Sequence, residues 1–194
     1  MELKHEDFQL NPSLNKRMFI VDNFYSDPFK VREMALQCDF QPNIQYYKGL
    51  RSREVYRTQE MKEVFESIMG IKINSWDYNI NGCFQITNSA DPQVYHFDQQ
   101  TWAAMIYLTP DAPIESGTRL HHHKTTGLNH GNQPDIWKAF TMGYYDSTQY
   151  HISAEAGNIF NRLVIMDARH IHSAGPYFGN NNENSRLVQL FFFD

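Results

Sequence analysis

Cysteine is scarce in this chain of 194 residues. Only Cys38 and Cys83 occur, they form no C-x-x-C pair, and no apolar leader precedes them. A reduced, non-secreted, cytoplasmic chain is therefore expected. No apolar run approaches the length needed to cross a membrane, so no membrane partner is expected. Basic runs are missing as well: 17 Lys and Arg stand against 22 Asp and Glu, for a net charge of −5. General nucleic-acid binding, which needs a clustered basic face, is not expected, although a local patch is compatible with these numbers. Internal repeats and low-complexity tracts are also absent. A hydrophobic fraction of 41% at this length fits one domain over residues 1–194 with a sizeable core.

What is present reads as two helices followed by short strands. Met18-Phe19-Ile20-Val21 is strand-like, and Asp27-Pro28 supplies an N-cap and a first-turn proline for a helix to about Cys38. Residues 40 to 57 show no clean period and predict a loop or short irregular strands. Their Tyr46, Tyr47, Arg51 and Arg53 suit either a solvated loop or a rim that holds a peptide, a nucleotide or an acidic metabolite. Thr58 caps a second helix, in which Met61, Val64, Phe65 and Ile68 recur at helical spacing until Gly70 stops it. From residue 71 onward apolar segments alternate with turn signals, as in Cys83–Thr87, Ala103–Leu108 before Thr109-Pro110-Asp111, Asn158–Met166, and Arg186–Phe193. That layout predicts an all-β sandwich or barrel with helices packed outside. Gly127 to Tyr150 interrupts it as a surface insertion with a short helix near Asp135 to Phe140, and Trp102 is expected in the core.

Between two of these strands lies Tyr95-His96-Phe97-Asp98. Alternate residues of an extended segment share a face, so His96 and Asp98 can reach one ion while Phe97 points the other way. The same spacing in His5-Glu6-Asp7 sits in a polar stretch without strand character and is read as solvated. A third imidazole from Arg169-His170-Ile171-His172-Ser173 would complete a two-His-one-carboxylate face, which suits Fe(II) and leaves positions open. His172 is preferred, and His170, two residues away on the same face, is the alternative. Arg186 is the one cation at the opening of the apolar final strand. A buried guanidinium needs an anion, and a dicarboxylate chelating the metal at one end could reach Arg186 with the other.

With HFD, then YL ending the next strand, then a late His followed by Ser, then an Arg opening the last strand, the chain resembles the Fe(II)/2-oxoglutarate-dependent oxygenase superfamily, and within it the small prolyl-4-hydroxylase-like branch. FIVDNFYSDPFKVREMAL near the N-terminus is also similar to the opening of that branch. The resemblance implies a mainly β fold, a double-stranded β-helix (jelly-roll) core with N-terminal α-helices packed outside. It implies metal ligation by His96, Asp98 and His172, with Arg186 and Tyr107 on the distal carboxylate of 2-oxoglutarate and Gln85 orienting that co-substrate. Fe(II), 2-oxoglutarate and dioxygen would serve hydroxylation of a peptide or small molecule. The Ser after His172 and the 14-residue distance to Arg186 favour His172 over His170. Two departures stand out: Glu115-Ser116-Gly117-Thr118 keeps only half of a Gly-Gly-x-Thr pattern, and His121-His122-His123 follows it. Neighbouring strand residues point to opposite faces, so those three imidazoles are expected to be a polar strand end and not a second metal site. A cupin-like metal enzyme would need a Glu after His170-Ile171-His172, and none lies between Ser173 and Gly179. A non-catalytic binding module is the remaining alternative.

Overall fold

Thr58 and Gly70 bracket one of two α-helices in the computed structural model, which describes residues 17–42 and 48–194. His5, Glu6, Asp7, Tyr46 and Tyr47 lie outside these residues. In chain order the elements are β1 (Met18–Val21), α1 (Pro28–Leu36), β2 (Phe40–Pro42), β3 (Leu50–Val55), α2 (Gln59–Met69), β4 (Cys83–Thr87), β5 (Trp102–Tyr107), β6 (Thr118–His123), β7 (Tyr150–Ala156), β8 (Leu163–Asp167), β9 (His172–Ala174) and β10 (Arg186–Phe193). Seven strands form one sheet in the order β1-β8-β5-β10-β4-β3-β2, and three form a second in the order β7-β6-β9. Every pairing is antiparallel. This is a jelly-roll arrangement, as the family resemblance implies, and it fits the sandwich or barrel expected from the strand spacing.

Period-two alternation sorts the large sheet into two layers. Ala104 and Ile106 of β5, Leu163 and Ile165 of β8, and Leu187, Phe191 and Phe193 of β10 pack with Phe65 and Met69 of α2 on the helix side. Ala103, Met105 and Tyr107, Val164 and Met166, and Val188 and Leu190 face Leu120 and Ala156 of the small sheet. Arg186 shares parity with Val188 and Leu190, so the alternation that buries β10 also carries its guanidinium between the sheets. Phe65 anchors the helix side, its ring 5.2 Å from Phe191, 5.7 Å from Trp76 and 5.8 Å from Phe193. Trp102 packs at the edge of this layer, 6.0 Å from Phe19.

Local chemistry explains the boundaries. Thr58 accepts from the Met61 N–H at 3.1 Å, and Gly70 ends α2 at φ 71°. Thr58→Ala is expected to cost about 1 kcal/mol in chemical denaturation, with the denaturant slope unchanged. The first helix stops at Leu36, short of Cys38. The last backbone bonds there run from Gln37 to Met34 and from Cys38 to Ala35, a tightened final turn. The segment expected as a strand from Asn158 becomes one only at Leu163. Asn161 takes φ 64°, and its side chain accepts from the Tyr25 N–H and donates to the Tyr25 carbonyl, both at 2.8 Å, which bends the chain toward the N-terminal segment. β7 was missed although Tyr150, Ile152, Ala154 and Ala156 alternate with His151, Ser153 and Glu155; on this edge strand only Tyr150 and Ala156 are buried, and Ile152 is exposed. The insertion carries a 3-10 turn at Ile136–Phe140, and Ile136, Ala139 and Phe140 are buried against Tyr95, Tyr150 and Ile171.

Candidate metal centre

His96 lies in no long strand, yet its position is fixed by strand pairing. It forms an isolated antiparallel bridge with His172: the His96 N–H donates to the His172 carbonyl at 3.1 Å, and the His172 N–H to the His96 carbonyl at 2.7 Å. Asp98 follows, its N–H on the Ala168 carbonyl at 2.8 Å. Phe97 points the other way, against Trp137 and Phe140. One ligand atom each from His96, Asp98 and His172 lies within 4.8 Å of the others. His96 Nε2 is 3.6 Å from Asp98 Oδ1 and His172 Nε2 is 3.7 Å from Asp98 Oδ2, gaps too wide for hydrogen bonds.

The donor set fits a divalent ion. His96 Nδ1 sits 3.1 Å from the Val94 carbonyl and His172 Nδ1 2.8 Å from the His170 carbonyl. A carbonyl accepts only, so each Nδ1 carries the proton and each Nε2 presents a lone pair toward Asp98. Burial, with His96 as the next cause, pushes the His172 pKa down to about 4 and keeps that imidazole neutral at physiological pH. Two imidazoles and a carboxylate are the ligand types of the open facial triad.

The other histidines go elsewhere. His170 is fully buried, its Nε2 bonded to the Arg17 guanidinium and its ring edge-on to His130. It serves the centre through its backbone carbonyl. His121 Nε2 meets Ser173 Oγ at 2.8 Å and His123 Nδ1 meets Thr126 Oγ1 at 2.8 Å, so the strand splits the triplet among separate partners.

The three ligand residues line a cavity of about 310 Å³. At its far end Arg186 is 4% exposed, its Nε donating to the Ser116 carbonyl at 2.9 Å and its guanidinium lying over the rings of Tyr107 (5.4 Å) and Tyr177 (6.0 Å). Among the described residues no carboxylate pairs with it; Glu183, a surface alternative, instead accepts through its backbone carbonyl from Arg32. Gln85 lines the cavity and donates to the Lys48 carbonyl at 2.8 Å. Tyr107 does not line it: fully buried behind Arg186, it shares a 2.8 Å hydrogen bond with Thr118, and Thr118 forms the wall. Sequence reasoning missed Lys48, Tyr144, Tyr145 and Tyr177 as wall residues. The aromatic content of the insertion was the only signal for Tyr144 and Tyr145, and nothing in the local pattern placed that loop over this cavity.

Burial also holds His121 and His170 down at about 4, with His172 and Arg17 as their respective second causes. In the unfolded chain these imidazoles titrate near 6.5. Below that pH the unfolded state takes up protons that the folded state refuses. Their contribution to stability is thus complete above about 6.5 and is lost as pH falls toward 4, on the order of 1–3 kcal/mol for each of the three buried imidazoles. Melting the metal-free chain at intervals from pH 7.5 to 4 should show a steady fall across that window, and His170→Gln should flatten it.

No family model and no curated protein matches this chain at the sequence level. Solved structures do. HygX from Streptomyces hygroscopicus, crystallised with nickel, 2-oxoglutarate and hygromycin B, superposes with a TM-score of 0.59 over 91% of this chain and 82% of its own, at 8% identity. A Pseudomonas putida prolyl-4-hydroxylase gives 0.52, covering 92% of each chain at 11% identity. The chain has the fold of these oxygenases. A Trichoplax adhaerens prolyl hydroxylase, in complex with a hypoxia inducible factor peptide fragment, gives 0.53 over 93% of this chain and 84% of its own, at 11% identity. At such identities the likeness establishes the fold and leaves the chemistry to the residues.

Proposed function

We propose that this chain is an Fe(II)- and 2-oxoglutarate-dependent oxygenase that hydroxylates a peptide or small-molecule substrate. One observation carries the reading. A carboxylate and two Nε2 atoms converge at one end of a cavity whose other end is closed by a buried guanidinium that no described carboxylate neutralises. His96, Asp98 and His172 would hold the iron, and Arg186 would hold the distal carboxylate of 2-oxoglutarate by a charge-assisted contact. With both bound, dioxygen is reduced while 2-oxoglutarate is oxidised to succinate and CO2, supplying the oxidant for a substrate C–H bond.

The protein's own share is placement and exclusion of water. The mutual backbone bonds of His96 and His172 lock both imidazoles to one frame, and the carbonyls of Val94 and His170 hold their tautomers. Ala103, Met105, Met166 and Leu190 line the space between the ends with apolar surface, which strengthens the electrostatic grip of Arg186. Gln85, on the wall, would orient the bound dicarboxylate. Succinate release from 2-oxoglutarate, measured with iron and dioxygen against a panel of peptides, free amino acids and nucleobases, tests the reading. Substrate-stimulated succinate supports it, and none with any member, together with no binding of 2-oxoglutarate, would remove it.

A further inference from the structure

The insertion from Gly127 to Tyr150, expected as a surface feature, touches the metal centre from behind. On the segment that carries two of the ligands, His96 and Asp98 share one face, so Tyr95 and Phe97 share the other. The insertion meets both. The Tyr95 N–H donates to the Tyr144 carbonyl at 2.8 Å, and the Tyr95 ring stacks on Tyr150 with centroids 4.6 Å and planes 1° apart. Phe97 has its ring 5.1 Å from that of Trp137 and 5.9 Å from that of Phe140. One edge of it lies on Gly131, where a Cβ would stand 2.8 Å from Cδ2 and 3.0 Å from Cε2 of Phe97. The same stretch holds the approach to His172: the Ile171 N–H donates to the Asn129 carbonyl and the Gly131 N–H to the Arg169 carbonyl, both at 2.7 Å. Asn129 to Gly131 thus joins the two ligand-bearing segments.

We infer that Phe97 is a positioning residue of the metal centre, and that the insertion, seating its ring on Gly131, Trp137 and Phe140, sets how His96 and Asp98 meet the ion. The inference rests on the reading of His96, Asp98 and His172 as ligands. Backbone bonds at His96 and Asp98 fix where the segment runs, but its roll about that line is left to the side chains. Phe97 is the side chain between the two ligands. A roll that moves its ring therefore moves both donor atoms together, while His172 stays with β9. Metal–ligand distances tolerate deviations of only about 0.2 Å. Emptying a space the size of a phenyl ring permits a larger shift, since the surroundings relax into the void. Packing that served the fold alone would cost stability and leave the metal affinity of the folded protein unchanged.

The test titrates Mn(II) into the full chain and records the visible absorption of the Co(II) form, whose bands report coordination geometry. Phe97→Ala is expected to weaken Mn(II) binding roughly 10- to 100-fold, as loss of an outer-shell support does, and to change the Co(II) spectrum. Phe97→Leu, which keeps much of the apolar volume, should fall between. The Trp137 side chain is 63% exposed, so Trp137→Ala should leave the fold intact and still weaken binding, roughly threefold or more. It keeps the test valid if Phe97→Ala does not fold. Gly131→Ala should weaken binding by pressing on the ring, and should add little to Phe97→Ala, in which the ring it presses on is gone. Wild-type Mn(II) affinity with an unchanged Co(II) spectrum in folded Phe97→Ala or Trp137→Ala protein, or Gly131→Ala and Phe97→Ala losses that simply add, would overturn the inference and leave the metal centre and the oxygenase reading in place. Failure of the wild type to bind Mn(II) would instead strike the ligand assignment and the inference with it.

Discussion

His172→Ala is expected to abolish tight binding of Mn(II), Co(II) or Fe(II), while His170→Ala binds one ion per chain as the wild type does. The two imidazoles are two residues apart and both buried, so burial does not separate them; their partners do. His172 presents Nε2 to the Asp98 carboxylate at 3.7 Å with Nδ1 tied to a carbonyl, whereas the His170 ring is engaged by Arg17. The carbonyl that orients His172 is main chain and survives His170→Ala. Losing one of three ligands should cost more than the roughly 10- to 100-fold loss typical of removing an outer-shell partner. His96→Ala and Asp98→Ala should behave like His172→Ala. Equilibrium dialysis with metal analysis reads the stoichiometry, and circular dichroism checks that each variant is folded. The reverse pattern, with His170→Ala losing the ion and His172→Ala retaining it, would reassign the third ligand.

Arg186→Ala is expected to weaken 2-oxoglutarate binding to the Mn(II) form by one to three orders of magnitude, about 1.5–4 kcal/mol, with metal affinity nearly unchanged. The guanidinium is buried, lies over two tyrosine rings, and gives Nε to the Ser116 carbonyl and a further contact to the Tyr107 hydroxyl. Its remaining donors are those a carboxylate would take. Arg186→Lys should fall between, since an ammonium keeps the charge and loses the planar fork. Anaerobic titration of 2-oxoglutarate measures the effect. Wild-type affinity in a folded Arg186→Ala protein would remove the anchor assignment and hand the distal carboxylate to another group.

The sequence made the buried elements readable because burial imposes periodicity. β5, β8 and β10 are apolar on both faces, and α2 shows a helical stripe with a cap at each end, so local pattern and final environment agree. The His96–Asp98 pair was legible for the same reason: alternation placed both side chains on the side opposite Phe97. Exposed or long-range features were not readable. β7 alternates in sequence but buries only Tyr150 and Ala156 of its apolar residues, and the conformation of Asn161 depends on its clasp of Tyr25, 136 residues earlier. The resemblance implied Tyr107 beside Arg186, but which of Tyr107 and Thr118 faces the cavity depends on how the two sheets stack. Lys48 and Tyr145 come from separate loops, and only the closed fold brings them together over the site.

A single-turnover experiment tests the central claim most directly. The wild-type chain, loaded anaerobically with one equivalent each of Fe(II) and 2-oxoglutarate, is exposed to dioxygen, and succinate and CO2 are counted against Asp98→Ala and a protein-free iron control. The account predicts succinate approaching one equivalent per chain, matched by CO2, with Asp98→Ala indistinguishable from the control. Succinate no higher than the control from wild-type protein that demonstrably holds both iron and 2-oxoglutarate would contradict it.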